Sequence, residues 1–334
     1  YIVCQDTLKS LADLAAGYRK IIGSPLTIGI TGTNGKTTVT QLTTSILKQC
    51  FSVSTTLGNY NNDIGLPLSI LRSSEKNCQR CVYELGASKK NDISYLVNIC
   101  EPKMTALLNV SEAHMESFGS FETLIETKEE IFSHTNTDQV VLNRDDAHFD
   151  RWKKINKNKK ITTISIFGDA DYFIEKTDEE FFYISTPRGK IELIEKNCSE
   201  ILAINLLFSI ALAMEAGAEI QSVKDGIYGF SGVQGRFFSF ISSNKSIVID
   251  DSYNANPESM KSSLNQIKHF KKTKIFVMGD MGELGERSLN HHMSVFKLAK
   301  DIGVKYLLYM GKYKNEAKSV FGDSCETFDD IIKL

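Results

Sequence analysis

Thr27-Ile-Gly-Ile-Thr-Gly-Thr-Asn-Gly-Lys-Thr-Thr38 decides the fold, because it runs from a buried strand through a glycine turn into a helix. The apolar residues ahead of Gly32 read as the strand. Gly32 and Gly35 free the backbone to curl, and Thr37 onward opens the helix. Backbone N–H groups at such a helix N-terminus point at an anion, and the helix dipole favours negative charge there. Lys36 would reach the outer phosphates of a nucleotide, and the Thr37 hydroxyl would sit on a magnesium ion. The strict phosphate-loop pattern has a glycine five residues before Gly35, where Ile30 stands. The loop is therefore a shorter variant. The alternative is a glycine turn with no ligand, but packing alone does not call for Gly, Asn, Gly, Lys and two Thr in that order.

Outward from this loop, strand and helix signals alternate, which favours a mostly parallel sheet flanked by helices. Strands are expected at Thr27 to Thr31, Cys81 to Leu85, Met104 to Val110 and Gln139 to Asn143, with helices at Lys36 to Gln49 and Phe121 to Phe132. Between Ile161 and Leu193 short strands and a Pro187-Arg-Gly189 turn suggest an antiparallel appendage. Ile201 to Ala216 reads as a strongly apolar helix. The run Ser231-Gly-Val-Gln-Gly-Arg236 marks a boundary, after which the alternation restarts as a second, smaller α/β domain. Its strands are expected at Ser246 to Ile249, Lys274 to Met278 and Tyr306 to Met310.

The 334 residues suffice for two or three domains, at roughly 100–200 residues each. The hydrophobic fraction of 42% and charged fraction of 24% are those of an ordinary globular protein. A net charge of −2 gives no electrostatic reason to expect nucleic acid or an anionic membrane as partner. No apolar run approaches the roughly 18 residues that span a bilayer. The start, Tyr1-Ile-Val-Cys-Gln-Asp6, lacks a signal-peptide layout and reads as a chain entered midway. Seven cysteines include Cys78-x-x-Cys81, but no second pair follows at zinc spacing. Reduced structural thiols in a cytoplasmic protein fit better than a zinc site or redox pair.

In open α/β sheets ligands gather beyond the carboxyl ends of the strands. The loop ending at Thr37 lies there, as does Glu84, which closes the strand Cys-Val-Tyr-Glu, and His114, four residues beyond Val110. One hydroxyl, one carboxylate and one imidazole around a triphosphate can hold magnesium, with phosphate oxygens and water completing the shell. Lys128 falls on the apolar stripe of its helix, at i+4 from Leu124 and i+3 from Ile125. Burial would make it a neutral nucleophile, able to take up CO2 as a carbamate. A snorkelling lysine whose ammonium reaches water satisfies the same spacing, and periodicity does not choose between them. In the smaller domain, Asp250-Asp-Ser-Tyr-Asn-Ala-Asn-Pro257 places carboxylates and amides where ribose, base or a second metal could bind. Gly279-Asp-Met-Gly-Glu-Leu-Gly-Glu286 closes the next strand with another acidic glycine-rich loop. Arg236 at the boundary could clamp a phosphate.

Taken together, these residues resemble the Mur ligases, and among them the branch that uses D-alanyl-D-alanine. The resemblance runs from about Val3 to the last residue. It is carried by Gly32-Thr-Asn-Gly-Lys-Thr-Thr38, Asn59-Tyr-Asn-Asn-Asp-Ile-Gly-Leu-Pro67, Glu84-Leu-Gly-Ala87, His114 with Phe118-Gly119, Lys128, Tyr253-Asn-Ala-Asn-Pro257 and Gly279-Asp-Met-Gly-Glu-Leu-Gly-Glu286. The phosphate loop and Lys128 are shared across the family; the Asn59 segment, Tyr-Asn-Ala-Asn-Pro and the Gly279 loop point to that branch.

The resemblance implies an ATP-dependent, ADP-forming amide ligase that works through an acyl-phosphate. It implies UDP-N-acetylmuramoyl-tripeptide and D-alanyl-D-alanine as substrates, in peptidoglycan synthesis, for a monomer in the cytoplasm. Gly32, Thr33, Asn34, Gly35, Lys36, Thr37 and Thr38, with Asn205, Arg236, Asp251, Asn254 and Asn256, would hold nucleotide. Thr37, Glu84, His114 and a carbamylated Lys128 would place Mg2+, with Lys36, Lys128 and His114 catalytic. Asn61 and Asn62 would approach the peptide. The implied fold is a central ATP-binding domain over residues 21–233 and a Rossmann-like C-terminal domain over 234–334, expected to be incomplete. Residues 1–20 are expected to be the exit segment of an N-terminal UDP-binding domain. Ile201 and Leu202 stand where family members carry a His-Asn pair, which bears on the adenine contact. A folylpolyglutamate-type ligase would need the same ATP site, but Thr37-Thr38 and the Asn59 segment argue against it. A nucleotide-binding module without ligase activity is the remaining alternative.

Overall fold

The computed structural model of the chain describes residues 3–72, 78–111, 115–176, 182–193 and 199–330. Two compact units emerge: Tyr1–Val110 with Ser120–Val233, and Ser111–Gly119 with Gln234–Leu334. Among the described residues, no helix is long and apolar enough to cross a membrane.

In the first unit nine strands form one sheet among the described residues: β1 Leu26–Thr31, β2 Val53–Thr55, β3 Arg80–Glu84, β4 Met104–Leu107, β5 Gln139–Asn143, β6 Lys160–Ser165, β7 Tyr172–Lys176, β8 Phe182–Thr186 and β9 Gly189–Leu193. Their order is β2-β3-β1-β4-β5-β6-β7-β8-β9. The helices of this unit are α1 Thr7–Ile21, α2 Lys36–Leu47, α3 Gly65–Leu71, α4 Asp92–Cys100, α6 Phe121–Glu129, α7 Phe149–Ile155, α8 Glu200–Glu215 and α9 Ile220–Tyr228; α5, Met115–Phe118, groups with the second unit. Ile28, Ile30, Val82, Ala106, Val141 and Ile164 share a buried core with residues of α2, α8 and α9. Strand residues alternate between faces, so their neighbours turn to the other side, where α4 and α7 pack on β1 and β5. The helix α8 is apolar all round and buried from Ala203 to Met214 apart from Ile204, as a helix without a polar face must be.

The antiparallel part is narrower than Ile161 to Leu193. The strand β6 pairs parallel with β5, and β7 pairs parallel with β6; only the β7–β8 and β8–β9 pairings are antiparallel, so β8 alone runs against the sheet. Parallel strands ordinarily need a crossover of a dozen residues or more. The β6–β7 pairing manages with less because it spans only Ile164↔Tyr172 and Ser165↔Phe173. The Asp171 carboxylate accepts the Thr163 N–H at 2.7 Å and its hydroxyl at 2.8 Å, replacing further ladder bonds.

The second unit holds a parallel sheet of β12 Lys274–Gly279, β13 Val304–Met310 and β14 Cys325–Phe328, with α10 Pro257–Ile267, α11 Ser288–Asp301 and α12 Lys314–Phe321. Its core is built from Leu264, Met278, Val295, Phe296, Leu307 and Tyr309. The strand expected at Ser246 to Ile249 belongs elsewhere: β11, Ile247–Asp250, forms an antiparallel hairpin with β10, Phe238–Ile241. Short polar turns such as the one between them make hairpins that an α/β alternation conceals.

Candidate functional site

Strand β1 lies between β3 and β4, so the carboxyl ends of all three meet, and the phosphate-type loop rises from the middle one. The Thr31 hydroxyl donates to the Leu85 carbonyl at 2.7 Å, tying the β1 and β3 exits together. A Cβ on Gly32 would stand 3.0 Å from Leu108 Cβ and 3.3 Å from the Asn109 backbone. Gly35 has φ +85°, and a Cβ there would stand 2.4 Å from Asn205 Oδ1. Both glycines are therefore fixed by close approach, and Asn205, on buried α8, borders the loop.

Asn109 is the residue that reading strand ends alone passes over. Its carbonyl accepts the Thr33 N–H at 3.0 Å, its Oδ1 accepts the Asn34 N–H at 2.9 Å, and its Nδ2 donates to the Asn34 carbonyl at 3.0 Å. One side-chain amide just beyond β4 thus braces the loop; the only signal for it in the sequence is an Asn ending an apolar run. Lys36 Nζ donates to the Gly32 and Thr33 carbonyls at 3.1 and 3.0 Å, so its ammonium is already folded over the loop. Thr33 to Thr38 are half-buried, leaving the loop open to a ligand.

Glu84 is 2% exposed. Its Oε2 accepts the Thr37 hydroxyl at 2.8 Å, and its Oε1 accepts the Asn61 amide at 2.7 Å. The Glu84 N–H donates to Thr56 Oγ1 at 2.8 Å, which holds the strand end in place. A buried carboxylate beside the helix-opening threonine fits a hard divalent cation, which takes oxygen ligands. Among the described residues no group of three or more His, Cys, Asp and Glu side chains converges. Phosphate oxygens and water would complete the shell of such an ion. His114 lies outside the described residues.

Lys128 is 5% exposed in the last turn of α6. Burial in the first place, then repulsion from Lys36, pull its ammonium down from 10.5 to about 7, against the attraction of Glu84, Asp92 and Glu130. A neutral amine beside the loop lysine and the metal-type carboxylate is a nucleophile. This burial disfavours the snorkelling alternative.

Asn62 has a local job: its Oδ1 accepts the Gly65 N–H at 2.8 Å and the Ile64 N–H at 3.3 Å, capping α3. In the second unit the Arg236 guanidinium lies 3.8 Å over the Tyr253 ring, and Asp251 accepts the Phe237 N–H at 3.0 Å and the Ser263 hydroxyl. Asn254 Oδ1 accepts the Ala255 N–H at 2.8 Å. Asn256 is the N-cap of α10, in a reciprocal capping box with Ser259. In the Gly279 loop, Asp280 accepts the Tyr309 hydroxyl and the Lys312 N–H, and the fully buried His292 accepts the Met281 N–H at 3.0 Å. Cys78 and Cys81 lie with sulfurs 3.7 Å apart. Their hydrogen bond, then burial, push the Cys81 thiol far up, so it is not a thiolate ready for metal or exchange. Cys198 lies outside the described residues.

Residues 30–213 match the family model of the Mur ligase middle domain, and residues 235–331 that of the Mur ligase glutamate ligase domain. The UDP-N-acetylmuramoyl-tripeptide–D-alanyl-D-alanine ligase of Haemophilus influenzae is 34% identical, over 100% of this chain and 75% of that protein. The crystal structure of MurF from Acinetobacter baumannii is similar at a TM-score of 0.89 and 27% identity, over 99% of this chain and 73% of that one. MurF ligase from Thermotoga maritima, in complex with ADP, gives a TM-score of 0.83 at 27% identity, over 98% of this chain and 76% of that one.

Proposed function

The chain belongs to the Mur ligase family, and from that premise we propose that it joins D-alanyl-D-alanine to UDP-N-acetylmuramoyl-tripeptide, driven by ATP, in cytoplasmic peptidoglycan synthesis. The observation that carries this reading is the Thr37–Glu84–Asn61 chain of hydrogen bonds at the mouth of the loop, with Lys128 buried beside it. It stands in a chain that aligns over its whole length with such ligases.

A carboxylate oxygen of the tripeptide attacks the γ-phosphorus, the bond to the β-phosphate oxygen breaks, and ADP leaves. The amine of D-alanyl-D-alanine then attacks the acyl carbon and phosphate departs, with the amine proton passing to water. Lys36 transfers its donors from the Gly32 and Thr33 carbonyls to the phosphates and stabilises the charge that develops on the transferring group. Thr37 and Glu84 would hold Mg2+, with His114 and a carbamylated Lys128 as further protein ligands; the ion would supply charge neutralisation on the phosphoryl oxygens. Lys128, whose ammonium pKa is lowered by burial to about 7 and which is therefore about half neutral at pH 7, would add through Nζ to CO2 and lose a proton, and the carbamate would supply a further oxygen ligand. Asn61, held by Glu84, marks the side from which the peptide enters. In the second unit, Arg236, Asp251, Asn254 and Asn256 would contact the nucleotide, as would Asn205 from α8.

The test is phosphate release from ATP with the two substrates supplied together and singly. Release only with both, and a product heavier than the tripeptide precursor by D-alanyl-D-alanine less one water, is the expected result. Lys36→Ala should lower that rate by about 10²-fold or more. Turnover with a pteroyl-glutamate acceptor instead, or nucleotide binding with no turnover on any acceptor, would overturn the proposal.

A further inference from the structure

Lys128 sits on α6 just ahead of two anchorages. Glu129, the next residue, accepts from Arg151 Nε at 2.6 Å, from a second guanidinium nitrogen at 2.8 Å and from Trp152 Nε1 at 3.0 Å. Glu130, one further, accepts the Asn91 N–H at 2.8 Å and the Ser94 N–H at 2.9 Å at the start of α4. Successive residues on a helix point about 100° apart, at 3.6 residues per turn. Glu129 and Glu130 are thus held toward different partners, α7 and α4, and together they remove the freedom of α6 to roll about its axis. The helix tightens to a 3₁₀ turn at Glu130–Phe132, immediately past Lys128. Glu122, a further residue of α6, also accepts from Arg151, at 2.5 Å.

Arg151 is the hub of this arrangement. Its fork meets Glu129 through two nitrogens, the geometry that makes guanidinium–carboxylate pairs directional. Trp152 is fully buried beneath it and stacked with His148, so the α7 side is a rigid wall. In the sequence Glu122, Glu129, Glu130 and Arg151 are ordinary charged residues of helical stretches.

We propose that Arg151, acting through Glu129, is a positioning residue for Lys128: it sets the roll of α6 that presents the lysine to the loop. The proposal rests on the assignment of Lys128 to the reaction made above.

Arg151→Ala should reduce kcat by about 10- to 100-fold while leaving KM for ATP within about twofold, the effect expected of a lost orienting partner. Emission of Trp152, the chain's single tryptophan, reports whether the clamp is broken. Glu129→Gln, which keeps the shape and removes the charge, serves as a second variant should Arg151→Ala fold poorly. Acylation by acetic anhydride at one pH, mapped by mass spectrometry, supplies a readout apart from turnover. Lys128 should react several-fold faster in the variants relative to Lys160, which lies on β6. Support requires both changes. A shifted Trp152 emission with kcat unchanged, or a fall in kcat with the Lys128 to Lys160 ratio unchanged, would overturn the proposal. A fully active Lys128→Ala protein would instead overturn the assignment of Lys128 itself.

Discussion

Replacing Lys128 with methionine should stabilise the first unit at neutral pH while abolishing ligation. The methionine keeps nearly the same length of apolar stem and removes the group whose burial is unfavourable. Burial first, then Lys36, lower the ammonium from 10.5 to about 7. With the folded value below the unfolded one, the unfolded chain binds more protons between the two, so wild-type stability rises with pH across that window. At one pKa unit per about 1.4 kcal/mol, holding Lys128 folded costs about 4 kcal/mol at pH 7, about 2 kcal/mol at pH 9 and almost nothing near pH 10.5. The advantage of Lys128→Met should therefore shrink by about 2 kcal/mol between pH 7 and pH 9. Urea unfolding followed by Trp152 emission, in buffer freed of CO2 so that no carbamate forms, measures it directly. A difference between the two proteins that stays flat with pH, or a less stable methionine variant at pH 7, would refute the reasoning.

Gly35→Ala forces a side chain into a left-handed backbone conformation with its Cβ 2.4 Å from Asn205 Oδ1. Strain of about 1–2 kcal/mol should weaken ATP binding about 5- to 30-fold; wild-type affinity by calorimetric titration would show that the loop absorbs the methyl group. Glu84→Gln leaves the fold intact but removes the anion between Thr37 and Asn61, and should raise the magnesium needed for half-maximal activity by about tenfold or more. An unchanged magnesium titration would exclude Glu84 as a ligand. His292→Ala strips the Met281 N–H of its acceptor and Ser288 of its donor, costing the second unit about 1–3 kcal/mol. Faster amide exchange across the Asp280 loop reports it. Because burial lowers the His292 pKa, the unfolded chain takes up more protons below its ordinary value, and the wild-type unit should lose stability as pH falls through about 6.5.

Where chemistry is local, the amino-acid order was enough. The loop from Gly32 to Thr38 follows from glycine freedom and the dipole of one helix end, both properties of a few consecutive residues. The strand ending at Glu84 and the apolar stripe carrying Lys128 follow from side-chain periodicity. The Mur ligase resemblance rests on the same short motifs. The parallel direction of β6 and β7 was not legible, because pairing direction depends on which strand lies alongside, and Asp171 rather than a long crossover makes it possible. Neither was the hairpin that takes β11 away from the parallel sheet. Spacing along α6 left Lys128 equally able to be buried or to snorkel; the packing of that helix against its neighbours settled its burial, since solvation is a property of everything around the amine. Asn109 bracing a loop 75 residues away, Asn61 meeting Glu84 and Arg151 gripping Glu129 depend on contacts between distant segments. Each is an ordinary polar residue until the sheet order and helix packing bring its partner within hydrogen-bond reach. A one-dimensional pattern records what a residue can do. Only the folded chain fixes the neighbour to which it does it, because hydrogen bonds and desolvation act over a few ångströms of space and not along the sequence.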